Sequence, residues 1–191
     1  MTGTASHPGT SKRAMTRRWP VVRPWISTGA RLALGAVWIV AGSAKVADLA
    51  ESVRAVRAYR LLPETVVPLV GAGLPFVEIA LGLLLIAGVG TRLGAIVAVV
   101  VLAVFVAGIA SAWARGLRIE CGCFGGGGDL AAAVKPAYGT ELVRDVGLLA
   151  LGAFLVRWPW SRWSVDGVLF GPAPFGPAPF EPAPSGPTEE P

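Results

Sequence analysis

The chain has 191 residues, of which 53% are hydrophobic and only 15% are charged, and its mean hydropathy is +0.61. This balance excludes an ordinary soluble domain and is typical of an integral membrane protein. The net charge of +5 does not require nucleic-acid binding, because the basic residues flank apolar segments. The sequence therefore predicts an all-α protein that is embedded in the membrane lipid bilayer.

The first segment, residues 1–24, is polar and basic, and we expect a disordered tail. Its basic residues are Lys12, Arg13, Arg17, Arg18 and Arg23. They favour a cytoplasmic N-terminus, because positive charge ahead of the first span is retained on the cytoplasmic side of the plasma membrane. A signal peptide cut after Ala44 is the alternative, but the long basic region and the next inserting segment favour an uncleaved helix.

Four apolar segments predict an integral membrane four-helix transmembrane bundle over residues 25–163. The predicted spans are residues 25–46, 65–91, 93–114 and 139–157. The third carries no charge, and a helix of its length extends roughly 33 Å, enough for a hydrocarbon core of about 30 Å. The first span contains Arg31 and the second contains Glu78, whereas the fourth has charged residues near its start.

The connection between the first two spans, residues 47–64, has apolar and basic side chains at helical spacing. This pattern predicts an interfacial helix on the membrane surface, ended by Pro63. A structured connection is the plainer interpretation. A docking site for substrate is the alternative, because this segment shares a membrane face with the cysteines.

Both cysteines lie in one string, Cys121-Gly122-Cys123-Phe124-Gly125, between the third and fourth predicted spans. A disulfide contributes most to stability when it closes a long loop, and a Cys-x-Cys ring closes almost none. Strained, exposed disulfides are more oxidising and exchange readily. We therefore expect Cys121 and Cys123 to be a redox pair. With a cytoplasmic N-terminus this loop is extracytoplasmic, where disulfides persist.

Charged residues in apolar segments are costly in a membrane and mark candidate sites. Two interpretations of Glu78 stay open: a proton carrier, or a structural carboxylate satisfied by Arg31 or by a backbone group. Arg144 can form an ion pair with Glu141 on one helix face. Alternatively, Arg144 lies beside the thiols and favours a reactive thiolate.

The last segment, residues 164–191, contains a five-residue repeat, GPAPF-GPAPF-EPAPS. Proline at this density prevents helix formation and favours extended polyproline II structure. We expect a disordered Pro-rich C-terminal tail. No zinc site is predicted, because His7 is the only histidine and lies far from the cysteines in the sequence.

Five short motifs follow one another along the chain. They are G…W-x-x-A-G-x-A-K at 35–45, Y-x-L-L-P at 59–63, L-P-x-x-E-x-x-x-G at 74–82, C-G-C-F-G at 121–125 and R-D at 144–145. The ordered set closely resembles MauE-type proteins of the DoxX-like membrane superfamily, over residues 31–157. The resemblance implies a four-helix membrane bundle required for methylamine dehydrogenase maturation, through disulfide formation in its small subunit or transport of that subunit.

The same resemblance implies that Cys121 and Cys123 form the redox pair and that a thioredoxin-like extracytoplasmic protein is their partner. Glu78, Arg144 and Asp145 correspond to membrane-side signature positions, although this chain has Asp145 where family members carry asparagine. By analogy with other four-helix thiol oxidases, we expect a quinone near Arg144 as the electron acceptor.

The sequence thus predicts a thiol–disulfide exchange protein of the plasma membrane. The alternatives are a non-enzymatic assembly factor for a partner enzyme and a small proton-coupled transporter that uses Glu78. The client, the direction of electron flow, the attacking cysteine and the oligomeric state stay open at this point.

Overall fold

The computed structural model describes residues 10–170 of the chain, and the side chains of residues 22–168. Its helices are α1 (Thr10–Val46), α2 (Leu49–Ala58), α3 (Val67–Ala87), α4 (Thr91–Ala114), α5 (Tyr138–Arg157) and α6 (Val165–Phe170). Between α4 and α5, strands β1 (Ile119–Glu120) and β2 (Gly128–Asp129) pair antiparallel. The cysteine loop therefore contains a small hairpin that the all-α prediction missed, because two-residue strands are too short to show an alternating pattern.

Three helices in this described part of the chain are long and apolar enough to cross a membrane. They are α3, α4 and the Val22–Val46 portion of α1, so the chain is a multi-pass membrane protein. These helices cover the first three predicted spans. Helix α5 covers the fourth, but the charges in its first half keep it outside this group.

Two predicted boundaries differ from the structure. Helix α1 begins at Thr10, inside the predicted disordered tail, because extending a nucleated helix costs less than starting one. Helix α6 lies in the first part of the predicted C-terminal tail. The remainder of both predicted tails, residues 1–9 and 171–191, lies outside the described residues.

Helices α1 and α3 approach each other closely at glycines, and α4 packs mainly on α5. A Cβ placed on Gly35 would lie 3.0 Å from the Gly82 carbonyl oxygen, and one on Gly82 would lie 2.7 Å from the Gly35 carbonyl oxygen. Lipid tails are as apolar as leucine, so such close packing, rather than the hydrophobic effect, stabilises helix pairs in a bilayer. The main core is Ala30, Leu34, Trp38, Leu81, Leu85, Ala95, Ala98, Leu102 and Leu155.

One end of the bundle joins the α3–α4 turn to the residues after α5, and we call it the closed end. The Asp166 carboxylate accepts hydrogen bonds from the backbone N–H groups of Gly90 and Thr91 at 2.8 and 2.9 Å, which caps the start of α4. Arg31 donates from Nη2 to the Trp163 carbonyl oxygen at 3.0 Å. The opposite end carries α2 and the loop 115–137, and we call it the cysteine end.

Helix α2, predicted as an amphipathic helix, is seated on α3 through a polar contact. Pro75 lies inside α3 and has no N–H to donate to the Gly71 carbonyl one turn earlier. Ser52 supplies the missing donor, because its hydroxyl donates to that carbonyl oxygen at 2.7 Å. A Cβ on Gly71 would lie 2.6 Å from the Val53 Cα, so the two backbones are in close contact.

Candidate thiol–disulfide site

The position of the cysteine loop is set by α2. Ala55 packs into the loop so closely that a Cβ on either Gly122 or Gly127 would lie 2.7 Å from the Ala55 Cβ. Gly122 also has a φ of 71°, the left-handed region that glycine adopts without penalty. The Tyr59 hydroxyl donates to the Cys121 carbonyl oxygen at 3.1 Å, so Tyr59, just after α2, fixes the backbone of the first cysteine.

Hydrogen bonds between side chains and the backbone hold the two ends of the loop in place. The Tyr138 hydroxyl donates to the Leu117 carbonyl oxygen at 2.7 Å and accepts from the Ile119 N–H at 3.1 Å. Arg118 donates from Nη2 to the carbonyl oxygens of Ala132 and Val134 at 2.7 and 2.6 Å. These contacts join the start of the loop to its end and to the first residue of α5.

Cys121 and Cys123 are both free thiols and half-buried. Their Sγ atoms are 3.1 Å apart, and the Cys123 backbone N–H points at the Cys121 Sγ at 3.4 Å. The two sulfurs predicted to form a redox pair are therefore adjacent in the loop.

The two thiols differ in acidity. Hydrogen bonding from the Cys123 thiol is the largest influence on Cys121 and, with the Cys123 N–H and Arg144, holds the pKa of Cys121 below its ordinary value despite burial. Donating that hydrogen bond, together with burial, raises the pKa of Cys123. The donors around Cys121 therefore favour Cys121 over Cys123 as the carrier of the thiolate, the form that attacks disulfides.

Arg144 lies beside the thiols. Its Nη2 is 3.9 Å from the Cys121 Sγ, its guanidinium carbon is 4.8 Å from the centre of the Phe124 ring, and its Nε donates to Asp145 Oδ1 at 2.7 Å. The predicted Arg144–Glu141 pair is wrong, because Arg144 turns towards Asp145 and the loop, and the buried Glu141 Oε2 has no hydrogen-bond partner. Asp145 thus orients the cation that faces Cys121.

Glu78 is buried and pairs with Lys45, whose Nζ lies 2.6 and 2.8 Å from the two carboxylate oxygens. The prediction that Arg31 pairs with Glu78 is wrong, because Arg31 lies at the closed end and bonds to the Trp163 carbonyl oxygen. Lys45 also lies 5.7 Å from the centre of the Phe105 ring. The sequence analysis did not identify Lys45 as a site residue, although Lys45 ends the A-G-x-A-K motif. The available signal was a basic residue in the last turn of a span, on the same membrane face as the cysteines.

Two cavities flank the cysteine pair. The smaller, about 20 Å³, is lined by Cys123, Glu78, Asp145 and Phe124 and has room for about one water molecule. The larger, about 350 Å³, touches Cys121 and Cys123 from the side of α2. The structure therefore brings the five predicted site residues to one end of the bundle: three line the smaller cavity, and Arg144 connects Asp145 to Cys121.

Comparison with known proteins gives one match. A family model described as methylamine utilisation protein MauE matches residues 23–158, which include the cysteine loop, Glu78 and Arg144. Neither the curated proteins nor the solved structures contain a significant match to the chain.

Proposed function

Because the chain belongs to the methylamine utilisation protein MauE family, we propose that it exchanges disulfides through Cys121 and Cys123 to support the maturation of extracytoplasmic proteins. The observation that carries this proposal is the 3.1 Å Sγ–Sγ contact with Arg144 beside one sulfur. A structural crosslink needs neither the cation nor the asymmetric acidity. A methylamine-dehydrogenase-type client and a thioredoxin-like partner follow from the family resemblance.

The proposal includes a topology in which α5 is the fourth span of the bundle. Its 20 residues extend about 30 Å, and it packs along α4 and α1. Trp25, Trp158 and Trp163 gather at the closed end, as aromatic residues do at a membrane interface. The basic N-terminal region favours a plasma-membrane orientation with this end in the cytoplasm and the cysteine end outside.

In the exchange step, the Cys121 thiolate attacks a sulfur of the partner disulfide. An S–S bond forms to Cys121, the partner's own S–S bond breaks, and the second partner sulfur leaves as a thiolate. Cys123 then loses its proton and attacks the Cys121 Sγ, which releases the partner as a dithiol and leaves the loop oxidised. The reverse sequence oxidises a partner dithiol, and in both directions Cys121 carries the mixed disulfide.

The neighbouring residues have separate roles in this scheme. Arg144 stabilises the Cys121 thiolate, and Asp145 holds the guanidinium in place. Cys123 must gain or lose a proton in each cycle, and Glu78 and Asp145 line the same small cavity as Cys123. We assign proton transfer to this cavity, with Glu78 as the carboxylate on its inner wall.

The test is capture of the mixed disulfide with a Cys123→Ser variant of the full chain in lipid nanodiscs. We expect a covalent complex with an oxidised thioredoxin-like protein, because the thiol that would release the partner is absent. The matched Cys121→Ser variant should give no complex. The complex should disappear on reduction and be visible by mass on a non-reducing gel.

Four results would contradict the proposal. A complex formed equally by both variants would contradict the assignment of Cys121 as the attacking thiol. The absence of a complex with either variant would contradict the proposed exchange activity. A Cys121→Ser/Cys123→Ser variant that still supports client maturation would favour a non-enzymatic assembly factor. Labelling of Cys121 by a membrane-impermeant maleimide only in lysed cells would place the loop in the cytoplasm.

A further inference from the structure

The cavity of about 350 Å³ lies between α2, α3, α4 and the cysteine loop. Its volume is in the range of small-molecule sites, roughly 300–1,000 Å³. Most of its wall is apolar, with Leu62, Val70, Leu74, Val100, Val104 and Phe105 among the lining residues. The polar groups of the wall are few and include both thiols. The cavity therefore suits a mainly apolar molecule with one polar end.

The cavity wall continues onto the lipid-facing surface. Val100 and Val104, on the most apolar span, are 56% and 63% exposed, and Leu61 is 54% exposed. In a bilayer these side chains contact acyl chains, so a molecule with a hydrocarbon tail can enter sideways from the membrane. A water-soluble ligand has no comparable advantage there.

The polar end of the cavity holds a hydrogen-bond donor and the redox pair. Lys45 lines it, and an ammonium group has three N–H donors. Two of them serve the Glu78 carboxylate oxygens, which leaves one for another acceptor. The Tyr59 hydroxyl and the sulfurs of Cys121 and Cys123 belong to the same wall. A carbonyl oxygen is the acceptor that fits an apolar ligand at this position.

We propose that this cavity binds the headgroup of a lipid-soluble quinone, which takes two electrons from the Cys121–Cys123 dithiol. The inference rests on the proposed exchange function and names its electron acceptor. The site is on the Lys45 side of the thiols. Arg144 does not line this cavity, so the quinone position expected from the sequence is replaced by one between α2, α3 and α4.

The redox step balances with the groups present. Counted from the neutral dithiol, two S–H bonds are lost, that of Cys121 when its thiolate forms, and one S–S bond forms. The two quinone carbonyls take up two protons and become the two O–H groups of the quinol. The dithiol is oxidised by two electrons and the quinone is reduced by two. Lys45 donates a hydrogen bond to the carbonyl oxygen on which negative charge develops, which is the usual way in which a fixed cation lowers such a barrier. The quinol then leaves through the lipid-facing side.

Binding is tested without thiol chemistry, on the Cys121→Ser/Cys123→Ser full-length chain in nanodiscs. The probe is a photoreactive azidobenzoquinone with a decyl tail. We expect adducts on peptides that line the cavity, and a fall of about tenfold when Val104→Phe fills the cavity. The matched control is Val97→Phe, a lipid-exposed valine on the same helix that does not line the cavity.

The redox step is tested with decylbenzoquinone as oxidant and dithiothreitol as the source of electrons, with the double serine variant as the background rate. Quinone reduction above background should require both cysteines, fall about tenfold in Val104→Phe and persist in Val97→Phe. Capture of a thioredoxin-like partner should be unchanged in Val104→Phe, because residue 104 lies on the exposed, lipid-facing surface of α4, which an extracytoplasmic protein does not contact.

Each outcome separates the two proposals. Normal partner capture without quinone reduction, or equal labelling and turnover in both phenylalanine variants, overturns the quinone site and leaves the exchange function. Displacement of the probe by decylbenzene as efficiently as by decylbenzoquinone shows a lipid-tail groove only and also overturns it. Quinone reduction sensitive to Val104→Phe, with no partner capture by any variant, supports the site and overturns the exchange function.

Discussion

The closed end and the cysteine end of the bundle each bury one cation, and they treat it differently. At the closed end, Arg31 is 1% exposed and donates to a backbone carbonyl, and no carboxylate among the described residues forms an ion pair with it. At the cysteine end, Lys45 is 6% exposed and both its bonded acceptors belong to the Glu78 carboxylate. The first cation joins polypeptide segments, whereas the second borders a cavity that contains the thiols.

This difference separates two uses of buried polar groups. Those of the closed end connect segments of the fold, whereas those of the cysteine end surround the proposed exchange site. At the closed end, Asp166 and Arg31 bond to backbone atoms. At the cysteine end, Lys45 pairs with Glu78 and Arg144 pairs with Asp145, beside a cavity and the two sulfurs. Intramembrane ionisable groups of the second kind are the ones that mark transfer sites.

The largest expected effect on stability comes from removing one partner of the Lys45–Glu78 pair. We expect Lys45→Met to lower the free energy of unfolding by about 3–5 kcal/mol, because it leaves a buried carboxylate without its cation. Arg31→Met should cost only about 1 kcal/mol, since it removes one hydrogen bond to a carbonyl and breaks no ion pair among the described residues. Unfolding of the full chain in mixed micelles, followed by tryptophan fluorescence, measures both.

A double variant sharpens this comparison. Replacing both partners, Lys45→Met with Glu78→Leu, removes the unpaired charge and should recover most of the lost free energy. Equal destabilisation by Lys45→Met and Arg31→Met, or no recovery in the double variant, would show that the ion pair is not what distinguishes the two ends.

The next effect concerns the contact that seats α2 above the thiols. Ser52→Ala should destabilise the protein by about 1–3 kcal/mol, because the Gly71 carbonyl then has no donor in a buried position. Partner capture by Cys121 should also slow, since Ala55 of the same helix positions the loop. Thermal unfolding and the rate of mixed-disulfide formation are the two measurements.

Pro75 provides the control for this interpretation. In a Pro75→Ala background the restored N–H can bond to the Gly71 carbonyl, so Ser52→Ala should then cost much less. Ser43→Ala, on the exposed face of α1, should have little effect in either background. A cost for Ser52→Ala that does not change with residue 75 would mean that Ser52 acts through another contact.

Hydropathy was sufficient to predict the three most apolar helices, and motif order was sufficient to predict the family. Apolar runs long enough to cross a bilayer leave few alternatives to helix, because lipid offers no partner for unpaired backbone groups. The C-G-C-F-G string identified the thiols, and Arg144 was correctly placed beside them as one of two alternatives. These features are local in the sequence, so they can be read without knowing which helices are neighbours.

The partners of the charged residues could not be derived in the same way. Glu78 pairs with Lys45 and not Arg31, and this depends on the depth at which each lies after α1 packs on α3. The Ser52–Gly71 bond depends on how α2 folds back onto α3. Such contacts join positions far apart in the chain, and a single sequence contains no information on their spatial order.

The smallest expected effect concerns the acidity of Cys121, which sets the cysteine end apart chemically. Alkylation of Cys121 as a function of pH should have its midpoint below the ordinary thiol value of about 8.5. Cys123→Ala should raise that midpoint most, because the Cys123 hydrogen bond is the largest influence lowering the pKa. Arg144→Gln should raise it by less than about one unit, since its contact with the Cys121 Sγ is 3.9 Å long and partly exposed to solvent.

The direction of these shifts follows from which form is stabilised. Both changes remove a donor to the thiolate, so the proton is held to higher pH and the reactive fraction at neutral pH falls. Arg57→Gln is the matched control, because it removes the same charge from an exposed position paired with Glu64. If Arg57→Gln shifts the midpoint as far as Arg144→Gln does, then the acidity of Cys121 reflects the overall positive charge of the cysteine end. A shift confined to Arg144 and Cys123 means that the loop geometry itself selects Cys121 as the attacking thiol.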